Sequence, residues 1–227
     1  MSKNLFITGT GTDIGKTFVS ALLAKALHEL GRDAAYYKAA MSGNDRRADQ
    51  SLIPGDAYYV KETSGISQPL EEMCPYVYEH AYSPHLASRL EGNPVTMEVV
   101  EAGFHNVCEK HEYVTMEGSG GILCPLEYGR EKLWLEDVIK KLGLSCLVVA
   151  DAGLGTINHV VLTVEYMRSR GIKVKGIVFN RCHPGNILEE DNRRMCEERT
   201  GIKVIAQLGE QDRSLRLTSE EVLALYE

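Results

Sequence analysis

The sequence predicts an α/β fold with a mostly parallel central sheet flanked by helices, and three observations carry that prediction. Short apolar runs alternate with longer amphipathic stretches along the chain. Two of the runs, Leu147-Val148-Val149 and Ile177-Val178-Phe179, are apolar without alternation, as strands covered on both faces should be. A Gly- and Thr-rich turn separates the first apolar run from the first amphipathic stretch.

The elements follow in order. Leu5-Phe6-Ile7 reads as a buried first strand. From Gly15 to Leu30, the residues Val19, Leu22, Leu23, Ala26, Leu27 and Leu30 recur at helical spacing, and Gly31 closes the run. Ala34 to Tyr37 reads as a second strand. Met41 to Gln68 is polar and rich in Gly, Ser and Asp, which predicts a loop with a short helix after Pro54. Pro84 to Gly92 and Thr96 to His111 read as helices. Tyr113 to Met116 reads as a strand running into a Gly-rich turn, and Leu133 to Leu142 as a helix. Leu144 to Ala150 is a strongly apolar strand, followed by a helix from Ile157 to Arg170 that Gly171 ends. Val174 to Phe179 is a strand, Ile187 to Thr200 a helix, and Lys203 to Ile205 a last strand.

No repeat, low-complexity tract or linker interrupts this order, so residues 1–227 are expected to form one domain. The net charge of −7 argues against a dedicated nucleic-acid or anionic-membrane binder, because phosphate backbones reward basic surfaces. The six cysteines show no C-x-x-C or Cys/His metal spacing. Several lie in apolar runs, which predicts buried free thiols in a reducing compartment. No run approaches the roughly 18 apolar residues of a membrane span. The N-terminus lacks the pattern of an export signal, so the expected location is the cytoplasm.

The turn after the first strand reads Thr8-Gly9-Thr10-Gly11-Thr12-Asp13-Ile14-Gly15-Lys16-Thr17. A strand, a Gly-rich turn and a helix opening in that order form the context of a phosphate-binding loop. Backbone N–H groups of the turn and of the helix N-terminus converge on one spot, suited to phosphate oxygens. Lys16 is placed to reach the outer phosphates and the Thr17 hydroxyl to ligate Mg²⁺. The usual spacing puts Gly at position 10; here the glycines stand at 9 and 11, a variant of the loop.

Further segments join this loop. They are Tyr37-Lys38-Ala39-Ala40-Met41-Ser42-Gly43, Tyr82-Ser83-Pro84-His85-Leu86-Ala87, Glu117-Gly118-Ser119-Gly120-Gly121, Gly153-Leu154-Gly155-Thr156-Ile157-Asn158-His159 and Gly176-Ile177-Val178-Phe179-Asn180. In this order and spacing, over roughly residues 4–181, the chain resembles the dethiobiotin synthases, members of the P-loop-containing NTPase fold. Two departures stand out. Ala39 replaces the proline usual after the lysine, and Gln207-Leu208-Gly209-Glu210 lacks the proline usual near the nucleotide base, which leaves the base open.

The resemblance implies an ATP-dependent ligase that turns 7,8-diaminopelargonate and CO₂ (or bicarbonate) into a cyclic urea, with ATP as co-substrate and Mg²⁺ as metal. It implies Lys16 and Lys38 as catalytic cations, and Thr12, Ser42, Gly118, Gly155 and Asn158 as substrate contacts. Nucleotide contacts would come from Asp13, Ile14, Gly15, Lys16, Thr17 and Phe18 in the loop. Asp56, Glu117, Gly118, Ser119 and Gly120 would add to them, then Asn180 and Arg181, and finally Asp212, Arg213 and Ser214. Thr17, Asp56 and Glu117 would hold the metal. The resemblance also implies a homodimer that shares the substrate site. Simpler readings compete at single positions: Asp56 as a helix cap, Asn180 as a strand-end cap, Ser42 and Thr12 as loop caps, and His85 and His159 as structural. The rival functions are a related ATP-dependent ligase of the same superfamily and a switch ATPase of the partitioning or nitrogenase-iron-protein type. Such ATPases carry a second lysine in the loop, and Thr10 to Asp13 contain none.

Overall fold

The first strand is longer than its apolar heart: β1 runs Lys3–Gly9, with every residue from Leu5 onward buried. The structure, a computed structural model, describes residues 2–226. After β1 come α1 (Lys16–Glu29), β2 (Ala34–Lys38), β3 (Ala40–Met41), α2 (Gly55–Ser64), β4 (Tyr76–Val77), α3 (Pro84–Glu91), α4 (Met97–Lys110) and β5 (Tyr113–Glu117). Then follow β6 (Pro125–Tyr128), β7 (Lys132–Trp134), α5 (Leu135–Lys141), β8 (Cys146–Asp151), α6 (Thr156–Ser169), β9 (Val174–Asn180), α7 (Ile187–Thr200), β10 (Val204–Leu208) and α8 (Ser219–Leu225).

Six strands form one sheet in the order β10-β9-β8-β1-β5-β2, and every pairing in it is parallel. The predicted α/β class and parallel sheet are both present. Alternation along β1 explains the two cores. Leu5 and Ile7 face the layer of α1, α2 and α8, with Leu22, Leu23, Val60 and Val222. Phe6 faces the layer of α4 to α7, with Phe104, Val138, Val164 and Cys196. A sheet buried on both faces needs apolar residues on both, which is why β8 and β9 read as unbroken apolar runs.

In an all-parallel sheet every strand ends at the same edge, and ligands gather there. The residues at that edge are Gly9, Lys38, Glu117, Asp151, Asn180 and Leu208. Register places Ile7 and Lys38 on either side of Glu117.

Two sequence expectations need correction. The helix expected over Leu133 to Leu142 begins only at Leu135, because Lys132–Trp134 is a strand antiparallel to β6. Asp137 fixes that start by accepting the Trp134 N–H at 2.9 Å. The polar stretch Met41 to Gln68 does hold a helix after Pro54, but its first residue belongs to a short strand, paired with β4. Beyond the last expected strand the chain adds α8, which Thr218 and Glu221 start with a reciprocal cap. All six cysteines are free; Cys74, Cys146 and Cys196 are buried as expected, whereas Cys108, Cys124 and Cys182 are half-buried. No helix among the described residues is long and apolar enough to cross a membrane.

Candidate functional site

Between β1 and α1 the chain must reverse within a few residues, and the backbone shows how. Asp13 (φ 56°) and Gly15 (φ 91°) both adopt left-handed conformations. At Gly15 a side chain is excluded twice over, since a Cβ there would lie 2.0 Å from Asn180 Nδ2. At Gly9 a Cβ would lie 2.2 Å from Ile14 Cδ1, so the strand end and the loop pack backbone to side chain. Lys16 opens α1 and folds back over the loop, donating from Nζ to Gly11 O at 2.8 Å. Burial, then the nearby Lys38 charge, lowers its pKa from the usual lysine value.

The centre of the site is a knot of four side chains from four elements. Lys38, at the end of β2, donates from Nζ to Glu117 Oε1 and to Asp56 Oδ2, each at 2.6 Å. Glu117 ends β5 and Asp56 lies in the first turn of α2. Thr17 Oγ1 stands 2.9 Å from Glu117 Oε1 and 3.2 Å from Asp56 Oδ1. Burial alone would depress the Lys38 pKa, but Glu117 and Asp56 outweigh it, and the net shift is upward. Burial would likewise raise the Asp56 pKa; Lys38 reverses that and holds the carboxyl below its ordinary range. Lys38 is therefore held as an ammonium between the carboxyl groups of Glu117 and Asp56.

These groups line a cleft of about 450 Å³ at the C-terminal edge of the sheet. Of the residues singled out in the sequence, it gathers Thr12, Asp13, Gly15, Lys16, Thr17, Lys38, Ser42, Asp56, Glu117, Ser119, Gly120 and Arg181. Ser42 donates to Tyr82 O at 2.6 Å and Ser119 to Ala40 O at 2.8 Å, contacts that pin the cleft wall. Arg181 spans Asp151 Oδ2, at 3.2 Å, and Asp13 O, which ties the loop to the end of β8.

The remaining positions fall elsewhere. Ile14 is buried in the core beneath the loop, and Phe18 packs against the same core from α1. Gly118 backs the cleft: a Cβ there would meet Leu135 Cδ2 at 2.7 Å. Asn180 is neither a strand-end cap nor in the cleft lining. Its Nδ2 donates to Ile14 O at 2.9 Å and so clamps the phosphate loop, while its buried Oδ1 has no hydrogen-bond partner among the described residues. Asp212 lines an adjoining cleft of about 340 Å³ with Cys182, His183, Arg193 and Gly209. Arg213 turns its carbonyl to Lys25, and Ser214 lies beside Ala26 and Leu30, outside both clefts. Gly155 and Asn158 stand at the start of α6, again outside the main cleft. Asp56 is not a cap, since Pro54 holds the position before α2 and no side-chain cap forms. His85 is held to Ser83 Oγ at 3.0 Å, away from the knot.

Sequence reasoning passed over two participants. Tyr36 Oη donates to Glu117 Oε2 at 3.0 Å. Strand alternation from Lys38 carried that signal, because residues two apart share a face. Asp151 holds Arg181, and nothing in its local sequence announces that contact.

The knot fits a divalent cation with phosphate. A threonine hydroxyl and two carboxylates are all hard oxygen donors, and Mg²⁺ sites typically take one or two carboxylates, leaving positions for phosphate and water. Among the described residues no group of three or more His, Cys, Asp or Glu could hold a metal; the knot offers two carboxylates and one hydroxyl.

The family described as AAA domain matches residues 3–216. The ATP-dependent dethiobiotin synthetase BioD of Brachyspira hyodysenteriae is 46% identical over 228 residues, covering 100% of both chains. That of Clostridium perfringens (strain ATCC 13124) is 45% identical over 91% of this chain and 90% of its own, and that of Clostridium botulinum (strain 657) 42% identical over 100% and 99%. Among solved structures, the MinC:MinD complex of Aquifex aeolicus superposes with TM-score 0.56 at 13% identity, over 99% of this chain and 86% of the other. A ParA family ATPase from Chlorobium tepidum superposes with TM-score 0.53 at 11% identity, over 99% and 90%. At such identities the structures share the fold alone.

Proposed function

The chain belongs to the ATP-dependent dethiobiotin synthetases, and from that premise we propose how its residues divide the reaction. It is an ATP-dependent cyclo-ligase of biotin biosynthesis. One amine of 7,8-diaminopelargonate takes up CO₂ as a carbamate. A carbamate oxygen attacks the γ-phosphorus, and ADP leaves. The second amine then attacks the carbonyl of the mixed anhydride, phosphate departs and a cyclic urea forms.

The observation that carries the assignment of roles is the meeting of Lys38, Lys16, Thr17 and Glu117 in one cleft. Carbamate and γ-phosphate are both anions, and phosphoryl transfer depends chiefly on positioning and charge stabilisation. Lys16 holds the outer phosphates, released from Gly11 O. Lys38 turns from its two carboxylates to the carbamate and the transferring phosphoryl group. Thr17, Asp56 and Glu117 hold Mg²⁺, which neutralises phosphate charge when bound. Loop N–H groups from Asp13 to Phe18 cradle the phosphates, with Ser119 and Gly120 on the opposite wall. Thr12 and Ser42 bind the carbamate end of the substrate. Asp212 lines the adjoining cleft, which suits the nucleoside, since the consecutive residues Arg181 and Cys182 line the two clefts, and Asn180 precedes them at the end of β9.

Gly155 and Asn158 sit apart from the cleft, and this favours their serving a partner's site. Leu154 and Leu162 beside them are 90% and 62% exposed, an apolar surface suited to a twofold contact. We place this homodimer in the cytoplasm, in keeping with its small-molecule substrates and free thiols.

The test measures ADP release with MgATP and bicarbonate, with and without 7,8-diaminopelargonate. Release that requires the diamine, and that Lys38→Ala abolishes in a folded protein, supports the reading. ADP release at one rate with or without diamine assigns the site to a switch ATPase instead.

A further inference from the structure

We infer that Tyr36 is a positioning residue that makes Glu117 a one-oxygen ligand and thereby sets the preference of the site for Mg²⁺ over Ca²⁺; this rests on the proposed metal role of Glu117. Glu117 is 1% exposed, so its carboxylate orientation is decided by protein contacts rather than water. Its two oxygens are treated differently. Oε1 faces Thr17 Oγ1 at 2.9 Å and Lys38 Nζ at 2.6 Å, and so opens on the cleft. Oε2 takes the Tyr36 hydroxyl at 3.0 Å.

Tyr36 cannot swing away. It is 0% exposed, with its ring in the core beside α1 and α2. Its backbone is paired to β5 opposite Thr115, and its N–H donates to buried Gln68 Oε1 at 2.8 Å. A phenol held this way keeps its O–H directed at Oε2, and a cation binding there would have to displace it. Oε1 is the oxygen open to a metal once Lys38 turns to the substrate, as the proposed function requires. Mg²⁺ demands octahedral geometry with short bonds to single oxygens, whereas Ca²⁺ accepts six to eight oxygens and two-oxygen carboxylates. A carboxylate locked to one free oxygen therefore favours the smaller ion. Residues that orient a metal ligand commonly matter 10–100-fold in metal affinity.

The experiment compares wild type with Tyr36→Phe, which removes one hydroxyl and leaves the ring. The affinity for the β,γ-imido analogue of ATP is measured with excess Mg²⁺, with excess Ca²⁺ and with EDTA, and thermal unfolding verifies that each protein is folded. The expected result is a loss of roughly 10-fold or more in the Mg²⁺-dependent gain of Tyr36→Phe, with the Ca²⁺-dependent gain kept or raised. An equal loss with both ions makes Tyr36 merely structural and overturns the inference, as does an unchanged ratio. Glu117→Gln separates the two layers of the argument. If it retains the full Mg²⁺-dependent gain, the metal role of Glu117 fails and the role of Tyr36 falls with it. If it loses that gain while Tyr36→Phe matches wild type, only the role of Tyr36 is overturned.

Discussion

Lys38→Met tests the charged knot directly, because methionine keeps an unbranched apolar side chain out to the ε position and removes the ammonium. In the wild type that ammonium is the counter-ion of Glu117, whose side chain is wholly buried, and of Asp56, which is 39% exposed. Removing one partner of a buried ion pair costs about 3–5 kcal/mol, because the other charge stays buried and uncompensated. The low end applies here. Thr17 and Tyr36 still donate to Glu117, and the Asp56 arm is screened by solvent. A loss of about 3 kcal/mol in a chain of this size lowers Tm by roughly 6–12 °C. The variant also leaves two carboxylates and a hydroxyl facing an unfilled cation position. Millimolar Mg²⁺ should therefore restore part of the lost stability in Lys38→Met, while raising the wild type little, since its own ammonium occupies that position. The assay is thermal unfolding of both proteins with EDTA and with Mg²⁺, without nucleotide. Equal Tm values in EDTA, or an equal Mg²⁺ shift in both, would refute the placement of Lys38 between the carboxylates.

Three further outcomes follow from other contacts. Asn180→Ala frees Ile14 O from its clamp on the phosphate loop; the lost hydrogen bond, about 1 kcal/mol, should weaken nucleotide binding roughly fivefold by equilibrium titration, with the fold intact. Glu136 receives Arg170 through two hydrogen bonds, at 2.9 and 3.1 Å, and these hold its carboxyl below the ordinary glutamate range against the opposing effect of burial. A depressed folded-state pKa gives stability that is present above the unfolded value, about 4.3, and is lost as pH falls through the folded value. Glu136→Gln should thus lose about 1 kcal/mol in denaturant unfolding at pH 7, discounted for the exposed arginine, and progressively less as the pH falls below the unfolded value. Leu162→Glu puts a charge on the proposed twofold surface in both copies, so sedimentation should show a shift to monomer; an unchanged sedimentation coefficient would remove α6 from that surface.

The sheet was legible in the sequence because parallel strands covered on both faces leave unbroken apolar runs, as in β8 and β9. The helices were legible from their spacing and from glycines at their ends. What escaped was short and set by contacts distant in sequence: β3 with β4, and the β6–β7 hairpin that takes Leu133 from the expected helix. Of the cleft, the phosphate loop, Lys38 and Glu117 were readable as motifs placed at strand ends. The clamp function of Asn180 was not, because it depends on a carbonyl 166 residues away. Ser214 stands outside both clefts, because no motif anchors the segment after β10 and its chain turns toward α1. Tyr36 shows a middle case, with strand alternation carrying the signal but the partner oxygen coming from β5.

The claim that phosphate activates the carboxyl group of a carbamate is tested most directly by following oxygen. The protein is mixed rapidly with MgATP, 7,8-diaminopelargonate and ¹⁸O-labelled CO₂, quenched before the label exchanges with water, and the released phosphate is analysed by mass. The account predicts that each phosphate carries one oxygen from CO₂, because ring closure breaks the bond between carbonyl carbon and bridging oxygen. Phosphate without label, formed while ADP accumulates, would mean that water attacks the nucleotide, and would contradict the account.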